Sequence, residues 1–160
     1  VLGIAGIFVF KNVDRKCIPL EKIYLMIAIP LGILYCIANP LGRVPDEDLG
    51  NYFKACTVLA FPSITKNEAF GVVLAEAMYC GAVPVTFTID CSGVNWVNIG
   101  NETGIEVPNR DLQEYTKALT TLLENDELRA TYSRAAQKRV KSMFLPDIAT
   151  ATLYDIYNNL

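Results

Sequence analysis

The sequence Thr57-Val58-Leu59-Ala60-Phe61-Pro62 leads through a short polar stretch, 63–67, into Glu68-Ala69-Phe70-Gly71-Val72-Val73-Leu74-Ala75-Glu76. The first run predicts a buried strand, and the apolar residues of the second predict a helix. In α/β folds, ligands bind where the carboxyl ends of strands meet helix N-termini, whose free N–H groups and dipole favour anions. This stretch therefore predicts an α/β fold with a site suited to a phosphate-bearing ligand.

Length and composition agree with one α/β domain. The chain has 160 residues, of which 52% are hydrophobic and 19% are charged. Such an apolar excess suits a parallel sheet that is covered on both faces, and the length allows a substantial core. The formal net charge is −3 and no block of Lys or Arg occurs. Nucleic acid and anionic membrane surfaces are therefore poor candidates as partners.

The chain contains no His, and its five Cys have no C-x-x-C spacing. Four of these cysteines stand among apolar or small residues, where a thiol usually behaves as a small core hydrophobe. The lack of His excludes His-based acid–base chemistry and His metal ligands, and we expect no zinc site. Catalysis would have to use carboxylates, Lys, Tyr, Cys or backbone dipoles.

The first forty residues are the least regular part of the sequence. Residues 1–10 predict a buried strand and lack the features of a signal peptide. The apolar run 23–38 is interrupted by Pro30 and Gly32, whereas a membrane-spanning helix needs about 20 apolar residues. Two buried strands around a turn are therefore favoured over a membrane segment. Because the chain begins at Val1, we expect a fragment of a longer protein.

From residue 41 onward, predicted strands and helices alternate regularly. The predicted elements are a helix opened by 45–48, a strand 58–61, a helix 70–80 capped by Gly81, a strand 83–87, a short element 94–99, a strand 103–107 and three final helices. This alternation predicts an α/β fold, with a doubly wound parallel sheet followed by C-terminal helices.

Glu68 and Glu76 are the carboxylates most suited to a ligand at the predicted helix start. If both were helical, their side chains would lie about 80° apart around the axis and could address two ends of one ligand. Each also has an ordinary explanation, since a helix dipole favours an acid near its N-terminus and a later Glu can simply face solvent. Spacing alone leaves both interpretations open.

Several segments together resemble a known family. They are Leu41–Leu49, Phe61-Pro62-Ser63, Glu68–Gly71 with Leu74, Glu76-Ala77-Met78 with Gly81, Val83-Pro84-Val85, Ser92–Asn98 and Thr103–Pro108. With these segments the chain resembles the C-terminal, donor-binding domain of retaining GT-B glycosyltransferases of family four, also called glycosyltransferase group 1. The resemblance implies that residues 1–160 form a single nucleotide-sugar-binding domain, a Rossmann-like half of a GT-B fold. Residues 41–160 match well, and residues 1–40 are irregular or shortened.

The resemblance implies separate roles for the two glutamates. In that family, the first glutamate lies beside the donor sugar and the diphosphate, which makes Glu68 the expected catalytic residue. The second holds the ribose hydroxyls, a role that falls to Glu76, since a carboxylate can accept hydrogen bonds from both hydroxyls.

The resemblance also implies contacts with the rest of the donor. Backbone N–H groups around Phe70, Gly71 and Val72 would face the phosphates, and the loop that contains Val44 would seat the base, either uracil or guanine. Family members carry a Gly-Arg and a Lys-Gly that clamp the diphosphate. Here Ile7 stands at the Arg position and Lys11 is the candidate phosphate ligand.

The implied activity is transfer of a sugar, of hexosyl type, from a UDP- or GDP-sugar to a saccharide or lipid-linked acceptor with retention. The acceptor would be bound by an N-terminal domain that is missing from this chain. No metal or other cofactor is expected, because the helix dipole and basic side chains would neutralise the diphosphate. The implied location is cytoplasmic, either free or peripherally associated with the inner face of the membrane, and segment 92–98 is similar to bacterial enzymes of polysaccharide biosynthesis.

Two other classes of function stay open. The shortened N-terminal part is compatible with a non-catalytic or degenerate module that binds a nucleotide sugar without turnover. The apolar run 23–38 is compatible with a membrane-associated protein. Among enzymes, a GT-B sugar-nucleotide epimerase is disfavoured by the absence of His and by the spacing of Glu68 and Glu76.

Overall fold

The computed structural model describes the backbone of residues 7–9 and all of residues 45–159. In chain order, its elements are β1 (Ile7–Val9), α1 (Asp46–Ala55), β2 (Val58–Phe61), α2 (Val72–Cys80), β3 (Val83–Phe87), α3 (Val94–Val97), β4 (Ile105–Val107), α4 (Leu112–Glu124), α5 (Asp126–Met143) and α6 (Pro146–Asn158). The α/β fold predicted from the sequence is confirmed.

The strands form one sheet in the order β1-β2-β3-β4. β2 pairs with β3 in parallel, with Val58 opposite Val83, and β3 pairs with β4 in parallel, with Val85 opposite Ile105. Parallel neighbours require a crossover connection, and α2 provides the one between β2 and β3. β1 differs from the parallel arrangement that the sequence predicts, because it runs antiparallel to β2.

The core lies between this sheet and the helices. Every residue of β2 and β3 is buried, as expected for parallel strands that are covered on both faces. α2 contributes four buried side chains, Leu74, Ala75, Ala77 and Met78, and packs against α1 and α5. α4 packs against β2, β3 and β4, where the buried hydroxyl of Tyr115 donates to the Val85 carbonyl at 3.1 Å. Both central strands are therefore held by several helices.

α2 begins two residues later than the sequence predicts. The prediction placed its first residue at Phe70, but Gly71 has φ 82° and ψ 62°, a left-handed conformation that interrupts the helix, so α2 starts at Val72. At the other end, the predicted cap is confirmed, since Gly81 has φ 100°. The Gly81 carbonyl accepts a hydrogen bond from the Ser133 hydroxyl of α5 at 2.7 Å.

A buried polar network joins β3, α3 and β4. The Asn98 amide donates to the Thr86 hydroxyl at 2.9 Å and to the Ile105 carbonyl at 3.4 Å, and its oxygen accepts from the Thr103 hydroxyl at 2.9 Å. Thr103 also accepts from the Ile99 N–H at 2.8 Å. Because buried polar groups are costly when unpaired, this network fixes the connection from β3 to β4.

Some features predicted from the sequence lie outside the described residues, among them the strands or membrane segment within 23–38. In the part of the chain that the structure describes, no helix combines the length and the apolar character that crossing a membrane would require. α6 has no buried residue, and Leu153, Tyr154 and Tyr157 on it are among the exposed large hydrophobic side chains.

Replacing Asn98 should destabilise the fold. Asn98→Ala removes a donor and an acceptor from the network and leaves the buried hydroxyls of Thr86 and Thr103 short of partners. We expect the free energy of unfolding to fall by about 1–3 kcal/mol, measured by urea denaturation followed by circular dichroism. Asn51→Ala, on the exposed surface of α1, is the matched control and should change stability little. Equal stability of the two variants would contradict the structural role of Asn98.

Candidate functional site

The loop between β2 and α2 lies at the carboxyl edge of the sheet, where the sequence predicts an anion site. No side chain caps the N-terminus of α2 within the described residues, and Gly71 occupies the cap position. The first helical hydrogen bonds run from Leu74 and Ala75 to the Gly71 carbonyl, at 2.9 and 3.2 Å. The N–H groups of Val72 and Val73 therefore precede the helical ladder and lie at the positive end of the helix dipole.

Glu68 lies in this loop and is not part of α2. It is half-buried, and its N–H donates to the Thr65 carbonyl at 3.3 Å. The sequence-based estimate of an 80° separation from Glu76 treated both residues as helical, and it is wrong because Gly71 turns the backbone before α2 begins. The two carboxylates are positioned by different elements: a loop holds Glu68, and a helix holds Glu76.

Glu76 lines a groove between α1, α2 and the junction of α5 with α6. This α1–α2 groove has a volume of about 600 Å³, and its walls include Asp46, Phe70, Val72 and Phe144. Three residues predicted to bind the donor, Glu76, Phe70 and Val72, thus line one groove, with Gly71 between two of them. Glu68 is not among its lining residues.

Burial and a neighbouring negative charge both affect the pKa of the Glu76 carboxyl. Although much of its side chain is open to solvent, partial burial raises the pKa of the Glu76 carboxyl, and the negative charge of Asp46 raises it further. In the sequence, Asp46 is simply one of the acids in the segment 45–48 that opens the predicted helix. Asp46 precedes Leu49 by three residues and Phe53 by seven, which is the spacing of one helix face. Leu49 and Phe53 also line the groove, so this spacing is the signal that could have placed Asp46 on the face of α1 toward α2.

The ring of Phe70 packs in an aromatic cluster. It meets Trp96 and Phe144 in edge-to-face contacts, with centroid distances of 5.9 and 5.4 Å. Trp96 and Phe144 also contact each other at 5.0 Å, and the Arg139 guanidinium lies 5.7 Å from the Phe144 ring. The ring of Phe70 is thus held by Trp96 and Phe144, and the residue directly precedes Gly71, the cap position of α2.

A turn at Ser92 and Gly93 lies against the loop that contains Glu68. The Ser92 hydroxyl donates to the Glu68 carbonyl at 2.6 Å, and the Gly93 N–H donates to the Ala69 carbonyl at 2.8 Å. The sequence leaves open whether the N–H groups of this turn donate to a sugar or belong to an ordinary turn. The structure shows that the Gly93 N–H is already used within the chain.

Two predicted site residues, Val44 and Lys11, lie outside the described residues. The structure therefore brings together Glu76, Phe70, Gly71 and Val72 around the N-terminus of α2, with Glu68 in the adjoining loop. An uncapped helix N-terminus, a groove and two carboxylates form a site that can bind a phosphorylated ligand carrying hydroxyl groups.

Comparison with known proteins identifies the family. The model for glycosyl transferases group 1 matches residues 39–139, which is more than half of the chain. The D-inositol 3-phosphate glycosyltransferase of Corynebacterium jeikeium is 32% identical over 141 residues, covering 88% of this chain and 32% of the relative. The chain belongs to the group 1 glycosyltransferases, as the sequence resemblance predicts.

Solved structures show the same fold. Sucrose-phosphate synthase from Thermosynechococcus elongatus is 26% identical with a TM-score of 0.66, over 74% of this chain and 29% of that protein. HepE from Anabaena, solved in complex with UDP, is 24% identical with a TM-score of 0.63, over 71% of this chain and 30% of HepE. The fold is thus that of a GT-B glycosyltransferase, and the matched region is part of its C-terminal domain. The chain spans about a third of the length of these relatives.

The carboxylate of Glu76 should make folding stability depend on pH. Since its pKa is higher in the folded chain than the ordinary value of 4.5, the folded state binds this proton more tightly, and stability falls as pH rises through that window. Glu76→Gln should therefore melt at a higher temperature than the parent at neutral pH. This difference in melting temperature should disappear below about pH 4.

Thermal unfolding followed by circular dichroism across this pH range measures the effect. The gain should stay below about 1 kcal/mol because solvent screens the partly exposed side chain. Glu102→Gln, which removes one exposed negative charge from the turn before β4, is the control for the change in net charge. A difference in melting temperature that is the same at both ends of the pH range would contradict the raised pKa of Glu76.

Proposed function

We propose that this chain is the donor-binding domain of a retaining glycosyltransferase that takes a hexosyl group from a UDP- or GDP-sugar. The observation that carries the proposal is the uncapped N-terminus of α2 at the carboxyl edge of the sheet, with Glu76 in the adjoining groove. HepE, which shares this fold, was solved in complex with UDP. The acceptor, a saccharide or a lipid-linked saccharide, would be bound by a separate N-terminal domain.

In this proposal, the diphosphate lies against the backbone at the start of α2. The N–H groups of Phe70, Gly71 and Val72 donate to phosphate oxygens, and the left-handed Gly71 allows the ligand to approach the backbone closely. Negative charge grows on the nucleoside diphosphate as the sugar leaves, and the dipole of α2 stabilises it in place. In this proposal no metal ion takes part, and Lys11 is the basic residue expected to bind the diphosphate.

The two glutamates then bind different parts of the donor. Glu76 accepts hydrogen bonds from both ribose hydroxyls in the α1–α2 groove, and the base lies against the loop that contains Val44. Glu68 lies beside the transferred sugar, where its carboxylate contacts the reacting part of the donor. Its position in a loop of its own, outside α2, supports this separation of roles.

Replacing Glu76 should weaken nucleotide binding through the ribose. Calorimetric titrations with UDP and GDP, run in EDTA because the proposal gives no role to a metal, should show binding by the parent. Glu76→Ala should bind the better nucleotide at least about tenfold more weakly, since hydrogen bonds to a charged group are lost. The parent should also bind the 2′,3′-dideoxy nucleotide more weakly than the ordinary nucleotide. Glu76→Ala should bind these two nucleotides equally.

The control for this experiment is Glu102→Ala, which removes an exposed carboxylate outside the groove and should leave both affinities unchanged. Absence of heat with either nucleotide or its sugar conjugate, from a chain that circular dichroism shows to be folded, would refute the donor-site proposal. If the parent and Glu76→Ala prefer the ordinary nucleotide over its 2′,3′-dideoxy form to the same extent, only the role of Glu76 is refuted, and the donor-site proposal stands.

Replacing Glu68 should lower turnover more than donor binding. In a full-length protein with both domains, Glu68→Gln should reduce kcat by about a hundredfold, because a group beside the reacting sugar acts mainly in the transition state. The KM for the donor should stay within about threefold of the parent, because the Gln side chain keeps its position and can still hydrogen-bond to the sugar. Steady-state transfer of a radiolabelled sugar measures both constants. A full-length protein that binds donor but shows no transfer would instead favour a non-catalytic nucleotide-sugar-binding module.

A further inference from the structure

Two consecutive residues of one turn hold two consecutive carbonyls of the loop that contains Glu68. The Ser92 hydroxyl donates to the Glu68 carbonyl at 2.6 Å and accepts from the Val94 N–H at 3.3 Å. The Gly93 N–H donates to the Ala69 carbonyl at 2.8 Å. Ser92 is half-buried, and its hydroxyl is oriented by both bonds, so it acts as a fixed donor to the Glu68 backbone.

The contact between the turn and the loop is too close for any side chain at position 93. A Cβ placed on Gly93 would lie 2.2 Å from the Ala69 carbonyl oxygen and 3.1 Å from the Phe70 Cα. Gly93 itself has φ −71°, which any residue can adopt. Close packing against the loop, and not the backbone conformation, therefore requires glycine at this position.

Hydrogen bonds also fix the turn at Ser92 and Gly93 to the end of β3. The Asn95 side-chain oxygen accepts from the Ile89 N–H at 2.7 Å, and its amide donates to the Phe87 carbonyl at 3.0 Å. Within the loop, Glu68 makes only a long backbone bond to Thr65, at 3.3 Å. Among the described residues, the shorter of the two backbone hydrogen bonds of Glu68 therefore comes from the β3–α3 connection.

We propose that Ser92 is a positioning residue that sets the backbone of Glu68, so that the Glu68 carboxylate meets the sugar of the donor. This inference rests on the proposed function, because it needs Glu68 to contact the sugar. Glu76 lies on α2, beyond Gly71, and the turn makes no hydrogen bond to it. Loss of the Ser92 hydroxyl should therefore affect recognition of the sugar and spare recognition of the nucleotide.

The test compares each nucleotide with its sugar conjugate: UDP with UDP-glucose, and GDP with GDP-mannose. In the parent, we expect the conjugate that fits to bind more tightly than its nucleotide. Ser92→Ala should reduce this ratio of affinities about threefold to tenfold, as expected for one lost hydrogen bond, and should change nucleotide affinity by less than about twofold. Ser92→Thr keeps the hydroxyl and should restore the parent ratio.

Ser133→Ala is the matched control. The Ser133 hydroxyl also donates to a backbone carbonyl, that of Gly81, at 2.7 Å, but at the opposite end of α2. This variant should lose thermal stability comparably to Ser92→Ala while keeping the parent ratio of affinities.

The outcomes separate the two proposals. If Ser92→Ala keeps the parent ratio, or weakens nucleotide and conjugate equally, or if the parent itself shows no preference for a conjugate, the positioning role of Ser92 is overturned and the donor site stands. If the folded parent binds none of the four ligands, the donor site is refuted, and the role of Ser92 falls with it.

Discussion

The parallel pairing of β2 with β3 determines where every part of the site lies. With Phe61 opposite Thr86, both strands end at the same edge of the sheet, so the loops that follow them are neighbours. That proximity allows the turn at Ser92 and Gly93 to contact the loop at Glu68 and Ala69. An antiparallel pairing would send the two loops to opposite edges, and the contact would not exist.

Two glycines shape the site for different physical reasons. Gly71 is needed for its left-handed backbone, which ends the loop and leaves the first N–H groups of α2 without a side-chain cap. Gly93 is needed for space, since a side chain there would collide with the Ala69 carbonyl. The ring of Phe70, meanwhile, is held by Trp96 and Phe144. The part of the site that we propose binds the diphosphate is consequently made of backbone, with side chains serving to hold that backbone in place.

This division explains what the sequence could predict. Continuous apolar runs predict strands such as Val58–Phe61 correctly, because burial on both faces constrains every residue, and Gly81 was predicted as a cap from its place after an apolar helix. The relation of Glu68 to Glu76 was not predictable from helical spacing, since it depends on the φ angle of Gly71. The role of Ser92 depends on a contact between segments that are distant along the chain, which no local pattern encodes.

The position of Glu76 has an energetic consequence. Glu76 lies where partial burial and the charge of Asp46 disfavour its ionised form, an arrangement that costs stability in the free protein. A ligand that donates hydrogen bonds to the carboxylate would offset this cost, so the strain fits a binding residue better than a structural one. Glu68, by contrast, lies in a loop whose backbone is bonded to the turn that follows β3. One carboxylate depends on helix packing and the other on a turn. In the proposed site, substitutions in the turn would therefore change recognition of the sugar and leave the proposed nucleotide contacts on α2 intact.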